Sequence, residues 1–191
     1  MKKSIKTLVA CFSLLFIFSA KASDELSLTI SEKENLIVEM KKTERDAVLS
    51  LLNENGEIIY KDRIFGDSNY TKKLGFEKLP VGVYKLILDK RFGITNSVIK
   101  KTADGLVLGE ESFVFKPNYK QEGKRVKVYL ANPGRAPLRV QVFDSNGEEV
   151  GNFSNSDEIL KKTLDFSRVR KGAYMLKIQT PSNIFTEHIE I

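Results

Sequence analysis

The chain has 191 residues, 41% of them hydrophobic, with 31 Lys and Arg against 25 Asp and Glu and a formal net charge of +6. That length suits two small domains. Charge is balanced along it, 14 basic and 13 acidic residues over 23–101 and 13 and 12 over 102–191, which excludes the concentrated positive face of a nucleic-acid module.

Lys2, Lys3 and Lys6 form a positive region, Leu8 to Phe18 an apolar one, and Ala20-Lys21-Ala22 a small-x-small site. Together they predict an export signal over 1–22 whose cleavage leaves Ser23 first. The apolar run is shorter than the ~20 residues of a bilayer span, and no later stretch replaces it. Leu8-Val9-Ala10-Cys11 has the form of a lipoprotein cleavage box, but the apolar stretch follows Cys11 where such a signal needs it before. Loss of Lys2, Lys3, Lys6 and Lys21 takes the basic count from 31 to 27 against 25 acidic, a formal charge of +2. Cys11 is the one cysteine, so a mature chain has no disulfide and no thiolate for catalysis or metal binding.

Beyond the signal the pattern is all-β. Over 23–101 the expected strands include Leu26 to Ile30, Leu36 to Met40, Ala47 to Leu52, Tyr70 to Phe76, Val83 to Leu88 and Ile94 to Ile99. Residues 102–111, with Gly105 and Gly109, are expected to be a linker. In 112–191 the expected strands include Ser112 to Phe115 and Ile159 to Phe166. Alternation marks three more: Val126, Val128 and Leu130 against Arg125, Lys127 and Tyr129; Leu138, Val140 and Val142 against Arg139 and Gln141; Tyr174, Leu176 and Ile178 against Met175 and Lys177. Ile184 to Ile191 ends the set. Asn55-Gly56 and Asn146-Gly147 predict two-residue hairpin turns, and Asn132-Pro133-Gly134 a turn with Gly134 left-handed.

Residues 47–100 and 138–190 are one motif written twice, offset by 91 at the Asn-Gly pairs and by 90 at Gly82-x-Tyr84 and Gly172-x-Tyr174. The expectation is two tandem seven-stranded immunoglobulin-like β-sandwiches, domain 1 over 23–101 and domain 2 over 112–191. A turn followed by Tyr84 or Tyr174 at the start of the penultimate strand has the layout of a tyrosine corner, whose hydroxyl bonds to backbone just upstream. Leu79-Pro80-Val81-Gly82-Val83-Tyr84 also resembles the matching stretch of fibronectin type III domains. Leu138 to Ile191, with its Asn-Gly turn, Gly-x-Tyr-x-Leu-x-Ile and final strand, resembles the C-terminal sorting domain of type IX secretion substrates. That resemblance implies a β-sandwich that routes a passenger through the outer membrane.

Catalytic, metal-binding and cofactor-binding constellations are not expected. His188 is the sole histidine, without a partner set for a metal, and reads as an edge-strand polar residue. Asp144-Ser145-Asn146-Gly147-Glu148 opens like a calcium loop but lacks the spaced later ligands, and a turn explains it. Glu148-Glu149 and Asp157-Glu158 are adjacent pairs that a strand would send to opposite faces. Asn69-Tyr70-Thr71 and Asn152-Phe153-Ser154 fit the glycosylation pattern, which in a bacterial host is coincidence.

Two surfaces remain. Arg125, Lys127, Arg139 and Lys177, with Tyr129 and Met175 beside them, are read as one basic face of domain 2 that could hold an acidic glycan or a lipid headgroup. In domain 1 the outward set is apolar at Val48, Leu52, Val83 and Ile87, with cover expected from Leu106-Val107-Leu108 or the other domain. The functional expectation is an exported, non-enzymatic binding or assembly module of a Gram-negative envelope, in the periplasm or at the surface, with an envelope protein or acidic glycan as partner. The alternative is a secretion-sorting or envelope-assembly component.

Overall fold

The structure, a computed structural model, describes residues 26–41, 46–66 and 69–191. The export signal lies outside the described residues.

Fifteen strands form four antiparallel sheets among the described residues. In the first sandwich β1 (Leu26–Ser31), β2 (Asn35–Met40) and β5 (Tyr70–Gly75) make one sheet. β3 (Ala47–Leu52), β4 (Ile58–Ile64), β6 (Gly82–Asp89), β7 (Gly93–Thr102) and β8 (Gly105–Phe115) make the other, in the order β4-β3-β6-β7-β8. The second sandwich pairs β9 (Asn118–Glu122), β10 (Arg125–Ala131) and β13 (Ile159–Asp165) in the order β13-β10-β9. It packs them against β12 (Glu149–Asn155), β11 (Leu138–Phe143), β14 (Ala173–Gln179) and β15 (Ile184–Glu190), in the order β12-β11-β14-β15.

Each sandwich has its own core, because a strand sends alternate side chains to one face. Leu36 and Val38 from one sheet meet Leu49, Leu86, Leu88 and Ile99 from the other in the first. Val126, Val128 and Leu130 meet Val140, Leu176 and Ile178 in the second. Both cores include a tyrosine corner. Tyr84 donates its hydroxyl to the Pro80 carbonyl at 2.6 Å, and Tyr174 donates to that of Arg170 at 2.8 Å. An aromatic from the preceding strand end closes on each ring, Phe76 on Tyr84 and Phe166 on Tyr174, both at 5.3 Å between centroids. Burial pushes the Tyr84 hydroxyl above its ordinary pKa, with Glu54 adding to the shift.

Residues 102–111 are not a linker. Thr102 and Gly105 close a hairpin, the Thr102 hydroxyl donating to the Gly105 carbonyl at 2.9 Å, and the chain returns as β8 along β7. The two glycines that read as flexibility are places of close approach. At Gly105, with φ +133°, a Cβ would lie 2.8 Å from the Lys33 carbonyl, and at Gly109 it would lie 3.1 Å from the Val98 side chain. Leu106 drops into the first core, and its amide bonds to the Lys33 carbonyl at 2.8 Å. The first sandwich therefore has eight strands and runs to Phe115, and Ser112 to Phe115 belongs to it rather than opening the second. Phe113 lies over Gly93, where a Cβ would meet the ring at 2.1 Å. Val107 falls beside Lys100, which pairs with Val83, so this segment extends the sheet and does not cross its apolar outward side.

The hairpin turns also differ from expectation. Gly56 and Gly147 have φ +81° and +80°, while Asn55 and Asn146 stay at negative φ. The turn is a four-residue one, Gly56 amide to Asn53 carbonyl at 3.0 Å and Gly147 amide to Asp144 carbonyl at 3.1 Å, followed by a bulge in the ladder. Asn53 and Asp144 hold it, each side-chain oxygen accepting two backbone amides within the turn. In 132–135 the positive φ belongs to Arg135, +49°, not to Gly134. Buried Asn132 fixes this turn by bonding Ala136 and the Asp157 carbonyl at 2.9 to 3.1 Å.

Gly82 and Gly172 hold equivalent places in the repeat but not equivalent conformations. Only Gly172 has positive φ, +151°. It exchanges two 3.0 Å backbone bonds with Ile191, where Gly82 pairs with Lys101. Lys101 is buried, its ammonium capping the Phe76 carbonyl at 2.5 Å with Glu34 at 3.5 Å. On β4 and β5, Tyr60 and Tyr70 both donate to Asp62, at 3.0 and 2.8 Å, which ties the two sheets at that edge. The Tyr70 bond chiefly holds the Asp62 carboxyl below its ordinary pKa.

Two tyrosines of the second sandwich make an opposed pair for test. The Tyr174 hydroxyl satisfies a backbone carbonyl, whereas that of Tyr119 is buried with no hydrogen-bond partner among the described residues. Tyr174→Phe should lower unfolding stability by about 1 kcal/mol, while Tyr119→Phe, which removes an unsatisfied group, should leave it unchanged or raise it. Denaturant titration of both variants measures the pair, and equal losses would contradict this assignment of bonds.

Candidate functional site

The five residues read from sequence as one basic face lie on two. Arg125, Lys127 and Tyr129 are on β10 of the three-stranded sheet, and Arg139 and Lys177 are on β11 and β14 of the four-stranded one. Their neighbours Val126, Val128, Val140, Leu176 and Ile178 share one core. Side chains alternating with those point away from that core, and so in opposite directions on the two sheets. Met175, opposite His188 on β15, belongs with Arg139 and Lys177. His188 itself is exposed on an edge strand.

Pairing across the three-stranded sheet replaces the lost residues with others. Arg125 has Glu122 and Asp165 as its cross-strand partners, Lys127 has Lys120 and Thr163, and Tyr129 has Asn118 and Lys161. These nine side chains form a grid on the outward face. Lys120 opposite Lys127 is an unfavourable pair of like charges. Glu122 offsets it by reaching both, with Lys127 at 2.7 Å and Lys120 at 3.0 Å. At one end Arg125 pairs with Asp165 at 3.6 Å. The Ser167 bonds are the main reason that the Asp165 carboxyl lies below its usual range. At the other end Tyr129 is 47% exposed and lines a groove of about 380 Å³ together with Asn118, Lys120, Lys127, Lys161 and Thr163.

The opposite, four-stranded face is a polar surface of another kind. Gln141 and Asn152 both donate to Glu149 at 2.5 Å, which holds that carboxyl low, with Arg139 adding a smaller effect. Among the described residues no group of three or more His, Cys, Asp or Glu is placed to hold a metal. No helix there is long and apolar enough to cross a membrane.

Sequence reasoning missed Lys120, Asn118, Lys161 and Thr163. The signal for Lys161 and Thr163 was present in the expected strand from Ile159. Asn118 and Lys120 fall outside the expected strands, because the segment expected to open this sandwich, Ser112 to Phe115, is the end of β8.

The charge on Glu122 gives a direct check of the lysine pair. Hydrogen bonding, to Lys127 first and then Lys120, lowers its pKa to about 2. A carboxyl whose pKa is lowered on folding contributes its full stabilisation above the unfolded value of about 4.3, and its bridges are lost as pH falls through the folded one. A carboxyl-carbon NMR titration should therefore put the Glu122 midpoint near 2, and Lys127→Gln should move it upward. An ordinary midpoint in the parent would show that the two bridges do not form.

None of the curated proteins compared matches the chain. Among solved structures, the two fibronectin type III domain segment of chicken tenascin overlaps 87% of this chain and 98% of its own at 12% identity, with a TM-score of 0.34. The BSP domain of a biofilm-associated protein does so over 87% of this chain at 11% identity and a TM-score of 0.29. The chain spans 29% of that protein's length. Residues 123–191, which contain β10 to β15, match the family described as the secretion system C-terminal sorting domain.

Proposed function

We propose that the chain is an exported, non-enzymatic protein of the bacterial envelope whose second sandwich acts as a type IX secretion-sorting domain and whose first sandwich is what it carries. The observation that carries this reading is the sorting-domain match over 123–191, which takes in six of the seven strands of the second sandwich. The resemblance of Leu138 to Ile191 falls within that match and rests on the same residues. The surface is the expected destination, since such domains route a passenger across the outer membrane.

What supports a non-catalytic role is that candidate acids are engaged structurally. Glu122 is shared by two lysines, Glu149 by two amides, and Asp144 by the amides of its own turn.

The test is passage of a reporter. Residues 116–191 fused behind an exported reporter, in a bacterium with type IX machinery, should bring it to the cell surface or medium. The native chain ended after Phe115 should stay in the periplasm. A fusion retained in the periplasm, or a truncated chain that still reaches the surface, would overturn the sorting role.

A further inference from the structure

On the three-stranded face of the second sandwich, positive charge is offset at one end and left in excess at the other. Arg125 has Asp165, and Lys120 and Lys127 share the single carboxylate of Glu122. Lys161, directly across from Tyr129, has no ion pair among the described residues. Lys162 also lines the groove, although its ammonium lies over the Phe153 ring, 5.5 Å from the centroid. The excess is therefore Lys161 together with one positive charge shared between Lys120 and Lys127, beside a half-exposed aromatic ring.

The neighbours of that ring say what kind of group fits it. Across the sheet Tyr129 has the Asn118 amide on one side and the Lys161 ammonium on the other, with Lys127 next along the strand and Thr163 opposite Lys127. A tyrosine ring offers an apolar face with a polar tip. The C–H face of a pyranose is apolar, while its rim carries hydroxyls. A ring ringed by hydrogen-bonding side chains accommodates both parts of a sugar, whereas an acyl chain would leave those side chains unpaired.

We propose that this groove binds a carboxylated polysaccharide, with one sugar ring stacked on Tyr129, its carboxylate between Lys161 and Lys127, and its hydroxyls served by Asn118 and Thr163. Binding is a property of this face alone and does not depend on how the protein is exported. Charge supplies attraction that salt screens over a Debye length of ~8 Å at physiological ionic strength, and the aromatic platform supplies selectivity for a ring.

Affinity electrophoresis of the purified protein through gels containing polygalacturonate tests the site, with fully methyl-esterified polygalacturonate as the uncharged control. The parent should be retarded by the acidic polymer, less so as salt rises, and little by the ester. Tyr129→Ala and Lys161→Glu should each weaken retardation by about tenfold or more. Reversal of both Arg139 and Lys177 to Glu, on the opposite sheet, should leave it unchanged. Circular dichroism checks each fold, and Tyr129→Thr, which keeps a strand-favouring side chain, is read if the alanine variant unfolds. No retardation of the parent, full retardation of the folded Tyr129 variant, or an equal loss from the Arg139 and Lys177 reversal would overturn the proposal. So would binding to phosphatidylglycerol vesicles in place of the polyuronate.

Discussion

Period-two alternation is the constraint on which the rest of this protein depends. A strand turns alternate side chains to opposite faces of its sheet, and here one of those faces is apolar, so each half of the chain folds as two sheets with their apolar faces together. Val126, Val128 and Leu130 point inward on one sheet, and Val140, Leu176 and Ile178 point inward on the other. The residues between them are then committed to opposite outward faces. That commitment splits the apparent basic face and concentrates the groove around Tyr129.

The two sandwiches keep the same devices where the fold has no freedom and diverge where it has. Both retain the corner tyrosine, the aromatic that packs on it and the Asx-anchored turn ending in a left-handed glycine. They differ at the last strand. In the first, β7 continues through a hairpin into β8, which carries the sheet on and seals the core with Leu106. In the second, β15 is the sheet's edge and is tied off by the Gly172 and Ile191 bonds. The buried Lys101, which caps the Phe76 and Glu77 carbonyls, closes the same end of the first sandwich by different chemistry.

Which features the sequence made legible follows from how local they are. The corners were readable because tyrosine and its acceptor lie four residues apart, as were the strands with clean alternation such as Arg125–Ala131. β4 and β12 were missed, since Ile58-Ile59-Tyr60 and Glu149-Val150-Gly151 begin next to a bulge that breaks the alternation. Gly105 and Gly109 were misread because glycine is used for flexibility and for close approach alike. The binding face was beyond reach of a single strand's pattern. Knowing that Arg139 points out does not say on which side of the sandwich, and only the pairing of β10 with β9 and β13 brings Lys120 and Lys161 to Tyr129.

Two sandwiches joined by a flexible tether and two of which the first is closed by its own eighth strand are different objects, and residues 105–115 decide between them. Hydrogen–deuterium exchange of that segment in the intact protein is the most direct measurement. The structure requires slow exchange at Leu106, whose amide is bonded and whose side chain is in the core, and protection at the amides that β8 turns toward β7, while those on the sheet's open edge exchange faster. Exchange across the whole segment at the rate of an open chain would contradict the eight-stranded first sandwich and restore a linker between the two copies.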